Sequence, residues 1–242
     1  MIRVVTSAER HTSEKEWIRS EFSFSFADYD DPSNAHFGCI LAHNDNCLSP
    51  MQGFKEHPHH DLEIVSYVVT GTLEHQDNLG NNTLLPAGTV QVMSAGTGIS
   101  HSERNPSAEE PVRFIQMWFL PSRPCHEPSW RSRNFSREER LNKCIPVASG
   151  AAGQGDTAGL PIHADISLYI PVLETGRELV LGQSENKRVY LFLISGHLEV
   201  GCDDGVFQLE PGDSARIRKS CNLYIKGTSS EGEAEFILAE IP

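Results

Sequence analysis

The sequence predicts an all-β protein made of two antiparallel β-barrels, with few short helices. Two observations support this fold class. Short apolar segments alternate with turns rich in Gly, Asn, Asp and Pro, as in residues 63–71, 72–75 and 77–82, and many short strands at close spacing are typical of barrels and sandwiches. The second half of the chain also repeats the first half at a constant offset.

The repeat covers two strands and the turn that follows them. Residues 189–199 match residues 64–74, and residues 205–211 match residues 80–86. The offset is 125 positions in both blocks. A constant offset over this length indicates two copies of one β unit, each able to form its own barrel.

Two pairs of side chains in the first copy form the most informative pattern of the sequence. One residue separates His57 from His59, and one residue separates His101 from Glu103. Because alternate residues of a strand share a face, two such strands inside a barrel would bring three imidazoles and one carboxylate together. Imidazole suits Fe, Zn, Cu and Ni, and a carboxylate favours a harder divalent ion. The pattern therefore predicts a metal site with nitrogen and oxygen ligands.

The second copy lacks these residues at the same offset. Gly182, Ser184, Lys226 and Thr228 stand at the four corresponding positions. We therefore expect the second barrel to be metal-free, with a structural or substrate-shaping role.

The repeat indicates two domains, and residues 144–148 and the N-terminal strands can pack with either of them. We assign residues 1–135 to an N-terminal metal-binding barrel and residues 136–242 to a C-terminal metal-free barrel. The Gly-rich residues 149–159 are expected to form a flexible connection. A short helix is expected to begin after Ser136, which can cap it together with Glu139.

Charge and composition exclude several classes of protein. The formal charge of −13 is spread along the chain, which argues against direct binding to nucleic acid or to an anionic membrane. The six cysteines are scattered without a CxxC pair and are expected to be reduced. No secretory signal is visible, and no segment approaches the roughly 20 apolar residues that span a bilayer. We expect a cytoplasmic protein, and a monomer because two barrels already pair within one chain.

Four longer segments of the first half carry a more specific signal. They are FSFSFADYDDP (22–32), FKEHPH (54–59), GTLEHQDNLGN (71–81) and VQVMSAGTGISHSERN (90–105). Together they resemble the pirin family of bicupins, within the cupin superfamily. The resemblance is dense in the first half of the chain and thinner afterwards, and it implies a cupin jelly-roll fold for each barrel.

The resemblance implies one divalent transition metal in the N-terminal barrel. The implied ligands are His57, His59, His101 and Glu103, all of which are present. Fe(II) is the first expectation, with Ni, Co, Mn, Cu or Zn as alternatives, because four protein ligands leave open positions on an ion that prefers five or six. The family usually has Arg after the HPH triplet, whereas this chain has His60 and Asp61. That departure concerns the identity of the substrate rather than metal binding.

The resemblance also implies an activity. Some bacterial pirins are flavonol (quercetin) dioxygenases, so we expect a small aromatic substrate and O2 as partners, with ring opening and release of CO. Glu103 is the expected general base, because it is the only carboxylate among the four ligands. A regulatory role stays open, in which a metal-containing protein binds a transcriptional or metabolic protein partner in a redox-dependent way. A metal-free or zinc-filled scaffold is a third alternative.

Three neighbouring features receive weaker expectations. Glu63 is expected to be structural or to accept a hydrogen bond from a ligand imidazole. His75 is expected to be structural or exposed. Residues 114–119 form an apolar strand that is expected to lie close to the metal, with its inward face unassigned.

Overall fold

The computed structural model describes residues 1–150, 159–182, 187–218, 223–230 and 232–242, and these residues are mostly antiparallel strand. The strands are β1 (Ile2–Val5), β2 (His11–Lys15), β3 (Ile18–Phe22), β4 (Ile40–Leu48), β5 (Gly53–His59), β6 (Glu63–Thr70), β7 (Thr72–Asp77), β8 (Asn82–Pro86), β9 (Thr89–Ser94), β10 (Ile99–Arg104), β11 (Val112–Phe119), β12 (Ser129–Asn134), β13 (Pro146–Ser149), β14 (Leu160–Pro161), β15 (Ser167–Tyr169), β16 (Val172–Glu174), β17 (Glu178–Leu181), β18 (Arg188–Ser195), β19 (Leu198–Cys202), β20 (Gly205–Leu209), β21 (Ser214–Arg218), β22 (Leu223–Gly227) and β23 (Glu233–Ile241). The all-β class predicted from the sequence is confirmed.

Helical structure in the described residues is limited to three single turns. Two are 3-10 turns, Ser7–Glu9 and Pro32–Asn34, and the third is α1 (Arg137–Arg140). The predicted cap of α1 is present, because the Ser136 hydroxyl accepts from the Glu139 N–H at 3.2 Å and the Glu139 carboxylate accepts from the Ser136 N–H at 2.9 Å. This reciprocal pair satisfies two backbone donors that a helix start leaves free.

The chain divides into two compact units. The first barrel comprises residues 11–135 and 160–164, and the second barrel comprises residues 1–10, 136–159 and 165–242. Residues 1–10 were expected in the first barrel, but β1 instead extends a sheet of the second.

The physical reason is the pairing of β1 with β21. Ile2 lies opposite Ile217, and Ile2 packs on the apolar core of the second barrel. Of the expected flexible connection, residues 151–158 lie outside the described residues, and Ser149 is the last residue of β13.

The first barrel consists of two antiparallel sheets. The larger has the strand order β12-β9-β6-β11-β4-β3-β2, and the smaller has the order β5-β10-β7-β8. Apolar side chains from both sheets, including Leu48, Leu73 and Phe114, form one core cluster. The strand order places β5 and β7 on either side of β10, so that the histidine pairs lie on adjacent strands.

The second barrel repeats this arrangement. One sheet contains the order β1-β21-β18-β23-β15-β13, and the other has the order β17-β22-β19-β20. Its core is a cluster of apolar side chains that includes Val189, Leu198 and Phe236.

The turn glycines of the repeat are equivalent in both barrels. Gly71 joins β6 to β7, Gly196 joins β18 to β19, and their φ angles are 78° and 80°. A Cβ at either position would overlap the carbonyl oxygen of Pro111 or Glu233 on the adjacent strand. Glycine is therefore required twice, both for its positive φ and for the close approach of two backbones.

Among the described residues, no helix has the length and apolar character that crossing a membrane would need.

Candidate metal centre

Three imidazoles of the first barrel converge as the sequence predicts. β5 and β10 pair antiparallel with His57 directly opposite His101, and His59 shares the face of His57 because it is two residues further along. The ring centroids are 4.7 Å apart for His57 and His59, 4.6 Å for His57 and His101, and 5.1 Å for His59 and His101. One ring nitrogen from each lies within 4.8 Å of the other two, a spacing at which all three can bind one ion.

The environment keeps His59 and His101 neutral. Burial, reinforced by the neighbouring histidines, lowers the pKa of His59 to about 4 and that of His101 to about 3. A neutral imidazole is the form that binds metal. The backbone carbonyl of Lys55 can only accept, so Nδ1 of His57 donates to it at 2.8 Å and Nε2 keeps its lone pair.

His101 is the buried centre of the group. It is only 2% exposed, and in the part of the chain that the structure describes neither of its ring nitrogens has a hydrogen-bond partner. Buried polar atoms of this kind are rare and call for a ligand or an ion. The residues present therefore fit a bound divalent metal.

Glu103 lies beside His101 rather than in the group of three imidazoles. It is buried, and its two carboxylate oxygens accept hydrogen bonds from Gln91 Nε2 at 2.5 Å and from Gln116 Nε2 at 2.8 Å. It belongs to a second group with His75 and His101, whose ligand atoms also lie within 4.8 Å of one another. The two groups overlap at His101.

His75 is the residue that sequence analysis underrated. It is fully buried and lies directly opposite Glu103 on β7, so the expected exposed alternative is wrong. Its Nε2 donates to Asp77 at 3.1 Å, while its Nδ1 has no hydrogen-bond partner. The signal that could have found it is the spacing of His75 and Asp77, which is the same as that of the other two pairs.

Asp77 is itself held by several donors. Its carboxylate accepts from the backbone and side chain of Asn81 and from the Leu79 N–H. Burial raises the pKa of Asp77, but the hydrogen bonds from Asn81 and His75 outweigh burial, so that the pKa is lowered overall. Asp77 is thus a stable carboxylate that fixes the tautomer and the orientation of His75.

Two other predicted neighbours lie away from the imidazoles. Glu63 is buried, which raises its pKa, and it accepts from the Ser94 hydroxyl at 2.7 Å and from the His163 N–H at 3.0 Å. His60 is exposed, and its Nδ1 lies 3.8 Å from the Asp61 carboxylate. Asp61 instead accepts from the Cys125 N–H at 2.7 Å.

The inward face of β11 is now assigned. Gln116 binds Glu103, and the Trp118 ring lies edge-on to His59 with centroids 5.1 Å apart. The Trp118 indole N–H donates to Gln116 Oε1 at 3.0 Å, which fixes the amide so that its nitrogen faces the carboxylate.

A cavity of about 220 Å³ adjoins His57 and Glu103. Its wall is mostly apolar, and Ser20, Asn44 and Asn46 on the paired strands β3 and β4 form a polar strip in it. The aromatic lining residues are Trp17, Phe22, Phe26, Phe54 and Trp118. Such a cavity suits a planar aromatic ligand next to the imidazoles.

Comparisons with known proteins agree with this architecture. Residues 5–119 match the family model described as Pirin, and residues 147–241 match the model described as Quercetinase C-terminal cupin domain. A pirin-like protein from Caulobacter vibrioides is 38% identical over 224 residues, which cover 93% of this chain and 92% of that protein. The quercetin 2,3-dioxygenase of Escherichia coli is 36% identical over 200 residues, which cover 83% of this chain and 84% of that protein.

A solved structure shows the same fold. The bacterial pirin YhhW from Escherichia coli, in complex with nickel(II), superposes with a TM-score of 0.90 at 34% identity, covering 100% of this chain and 99% of that chain. The predicted bicupin fold is therefore confirmed over both barrels. With two barrels of this fold, converging imidazoles and relatives of this identity over nearly the whole length, the chain belongs to the pirin family.

Proposed function

We propose that this protein is a metal-dependent dioxygenase that opens the ring of a flavonol such as quercetin with O2 and releases CO. The observation that carries the proposal is the convergence of three imidazoles and a buried carboxylate beside a cavity with aromatic residues in its wall. The relative named quercetin 2,3-dioxygenase supports the same reaction.

His57, His59, His101 and Glu103 would hold the metal. The unpartnered nitrogens of His101 and the lowered pKa values of His59 and His101 prepare the site for a cation. When bound, a divalent metal supplies Lewis acidity and open positions for the substrate hydroxyl and for O2. Fe(II) is the proposed ion, and nickel is the alternative that the YhhW complex supports.

Glu103 would act as the general base. Gln91 and Gln116 each donate to one of its oxygens, which fixes the plane of the carboxylate. A carboxylate has about four lone-pair sites, so it keeps capacity to take the proton of the flavonol 3-hydroxyl. The aromatic wall of the cavity would hold the substrate rings and exclude water from the reacting atoms.

The test is the aerobic loss of quercetin absorbance per bound metal, with CO measured as the second product. The protein is loaded anaerobically with Fe(II) or with Ni(II), and His101→Ala is the matched control. Turnover that depends on the metal and that His101→Ala lacks would support the proposal. A protein that holds one metal per chain and turns over no quercetin would overturn it.

The base role of Glu103 has its own test. Glu103→Ala and Glu103→Gln should both lower turnover by more than they lower the metal content, since the histidines still bind. If both variants lose turnover and metal in equal proportion, Glu103 is a ligand without a separate role as base.

A further inference from the structure

The polar strip of the cavity contains an unsatisfied amide. Asn44 and Asn46 stand two residues apart on β4 and both line the cavity. Asn46 Oδ1 accepts from the Ser20 hydroxyl at 2.7 Å. Asn44 is only 2% exposed, and its Oδ1 has no hydrogen-bond partner among the described residues. A buried carbonyl oxygen without a donor destabilises the folded state, so its presence in a cavity wall indicates a ligand that supplies the donor.

The position of Asn44 relates it to the reacting end of the cavity. Asn44 lies directly opposite Gln116 in the pairing of β4 with β11, and Gln116 donates to Glu103. Side chains directly opposite on paired strands have Cβ atoms about 5 Å apart. Asn44 is thus the cross-strand neighbour of Gln116, and Gln116 in turn donates to the carboxylate that we assign as the base.

We propose that Asn44 determines substrate specificity by accepting a hydrogen bond from a second hydroxyl of the substrate. This proposal rests on the proposed function and makes its substrate class narrower. The first hydroxyl gives its proton to Glu103, and the second one donates to Asn44 Oδ1. The substrate is then a planar aromatic compound with at least two hydroxyls near one edge.

The physical basis of the selection is the cost of an unpaired buried group. A ligand that lacks the second hydroxyl leaves Asn44 Oδ1 without a donor and also displaces any water that served it. Sites that hydrogen-bond a substrate hydroxyl reject analogues without it far more strongly than apolar pockets reject a missing methylene. Asn46 provides the internal contrast, because its oxygen already has a donor.

The experiment is a set of double-mutant cycles on the metal-loaded, full-length protein under anaerobic conditions. Quercetin and analogues that each lack one hydroxyl other than the 3-hydroxyl are bound, and the Kd is read from quenching of the fluorescence of Trp17 and Trp118. In the unmodified protein, one analogue should bind about tenfold to a hundredfold more weakly than quercetin. In Asn44→Leu that difference should disappear, and in Asn44→Asp, which keeps the acceptor oxygen, it should persist.

The matched control is Asn46→Leu, two residues along the same strand and in the same cavity. It should keep the difference between quercetin and the analogue. Asn44→Ala serves as the second variant, and thermal unfolding verifies that each variant folds. Equal weakening of all ligands by Asn44→Leu and Asn44→Ala would overturn the proposal and give Asn44 a structural role.

The binding readout separates this proposal from the proposed function. Coupling between Asn44 and one hydroxyl without any quercetin turnover would retain the binding role of Asn44 and overturn the dioxygenase. Turnover without coupling would overturn the role of Asn44 alone. Failure of every flavonol to bind would overturn both.

Discussion

Corresponding strands pair in the same order within each barrel, but they carry different side chains at equivalent positions. β10 lies between β5 and β7 in the first barrel, and β22 lies between β17 and β19 in the second. His75 pairs with Glu103, and the repeat offset carries His75 to Val200, which pairs with Ile225. By strand pairing, Ile225 is therefore the equivalent of Glu103.

The same pairing identifies the equivalents of two histidines. His57 pairs with His101, and Leu181 pairs with Leu223 in the corresponding strands. Each of these leucines, like Ile225, is part of the apolar core of the second barrel or packs against it.

This equivalence corrects the alignment at constant offset. The offset placed Gly182, Ser184, Lys226 and Thr228 at the four positions, of which Ser184 lies outside the described residues. The segment from Pro211 to Leu223 is three residues shorter than the segment from Pro86 to His101. The sequence contains no marker for where these three residues are lost, and only the strand pairing reveals it.

The comparison shows that this fold accepts either polar or apolar side chains at these positions. In the second barrel the positions stabilise the fold by apolar packing. In the first barrel His101, at one of these positions, buries two ring nitrogens that have no hydrogen-bond partner among the described residues, which lowers stability unless a ligand or ion binds. The predictions below exchange or perturb these two kinds of lining.

The largest effect is expected from His101→Leu, which gives the first barrel the residue type of the second. The site loses the imidazole that belongs to both groups of ligand atoms, so metal content and quercetin turnover should fall to background. The metal-free protein should be at least as stable as before, because two unpartnered nitrogens are replaced by an apolar side chain. Elemental analysis, turnover and urea unfolding in the presence of a chelator give the three readouts.

The two parts of this prediction, metal loss and retained stability, can be contradicted independently. Full metal content in His101→Leu would show that His101 is not a ligand. A metal-free variant that unfolds at much lower urea would show that His101 stabilises the fold in its own right. His60→Leu, at an exposed histidine, is the matched control and should retain its metal.

The next effect is expected from Ile225→Ala in the second barrel. Ile225 is fully buried in the aliphatic core, and truncation of such a side chain costs about 2–5 kcal/mol in the free energy of unfolding. Metal content per folded chain should not change. Urea unfolding measures the loss, and a loss below about 1 kcal/mol would mean that this core relaxes around the cavity.

The sequence predicted that the two candidate ligand pairs would each share a strand face, because alternation along a strand is a local property. His57 and His59, or His101 and Glu103, share a face in any strand, whatever the rest of the fold does. The sequence could not show whether Glu103 lies nearest to His57 or to His75, because the registers of β5 and β7 against β10 depend on the tertiary structure. The inward face of β11 was undetermined for the same reason, since both of its faces are apolar and buried.

A smaller effect is expected from loss of the carboxylate behind His75. Asp77→Asn removes the acceptor that fixes His75, whose ring centroid lies 5.4 Å from that of His101. Because His75 is not one of the four proposed ligands, we expect the loss of metal affinity to stay below the roughly tenfold to hundredfold that follows loss of a carboxylate behind a ligating histidine. His75→Phe should lower the metal affinity at least as much as Asp77→Asn does. Competition with a chromophoric chelator measures the affinity, and the visible spectrum of the Co(II)-loaded protein reports a change in ligand geometry.

The control for this pair is Glu63→Gln, which changes a buried carboxylate that lies away from the imidazoles. It should leave the Co(II) spectrum unaltered. An affinity in Asp77→Asn equal to that of the unmodified protein would show that His75 is held well enough by its stacking on Trp130, where the ring centroids lie 4.8 Å apart.

The smallest effect is expected from alkylation of the thiols, which probes each barrel individually and needs no substitution in either. Cys125 of the first barrel is exposed. Cys144 packs on the core of the second, where burial raises the pKa of its thiol to about 12. Because the thiolate is the reactive form, a raised pKa leaves Cys144 almost fully protonated at pH 8, and the partial burial of its side chain also limits access. Iodoacetamide should therefore label Cys125 and not Cys144 in the folded protein, as read by peptide mass spectrometry.

Labelling of Cys125 should change the free energy of unfolding by less than about 0.5 kcal/mol, as is usual for surface changes. In rising urea, Cys144 should become labelled as the second barrel opens, and Ile225→Ala should move that midpoint to lower urea because both side chains belong to the same core. Rapid labelling of Cys144 in the absence of urea would show that this core opens locally, and the stability assigned to its apolar lining would then be too high.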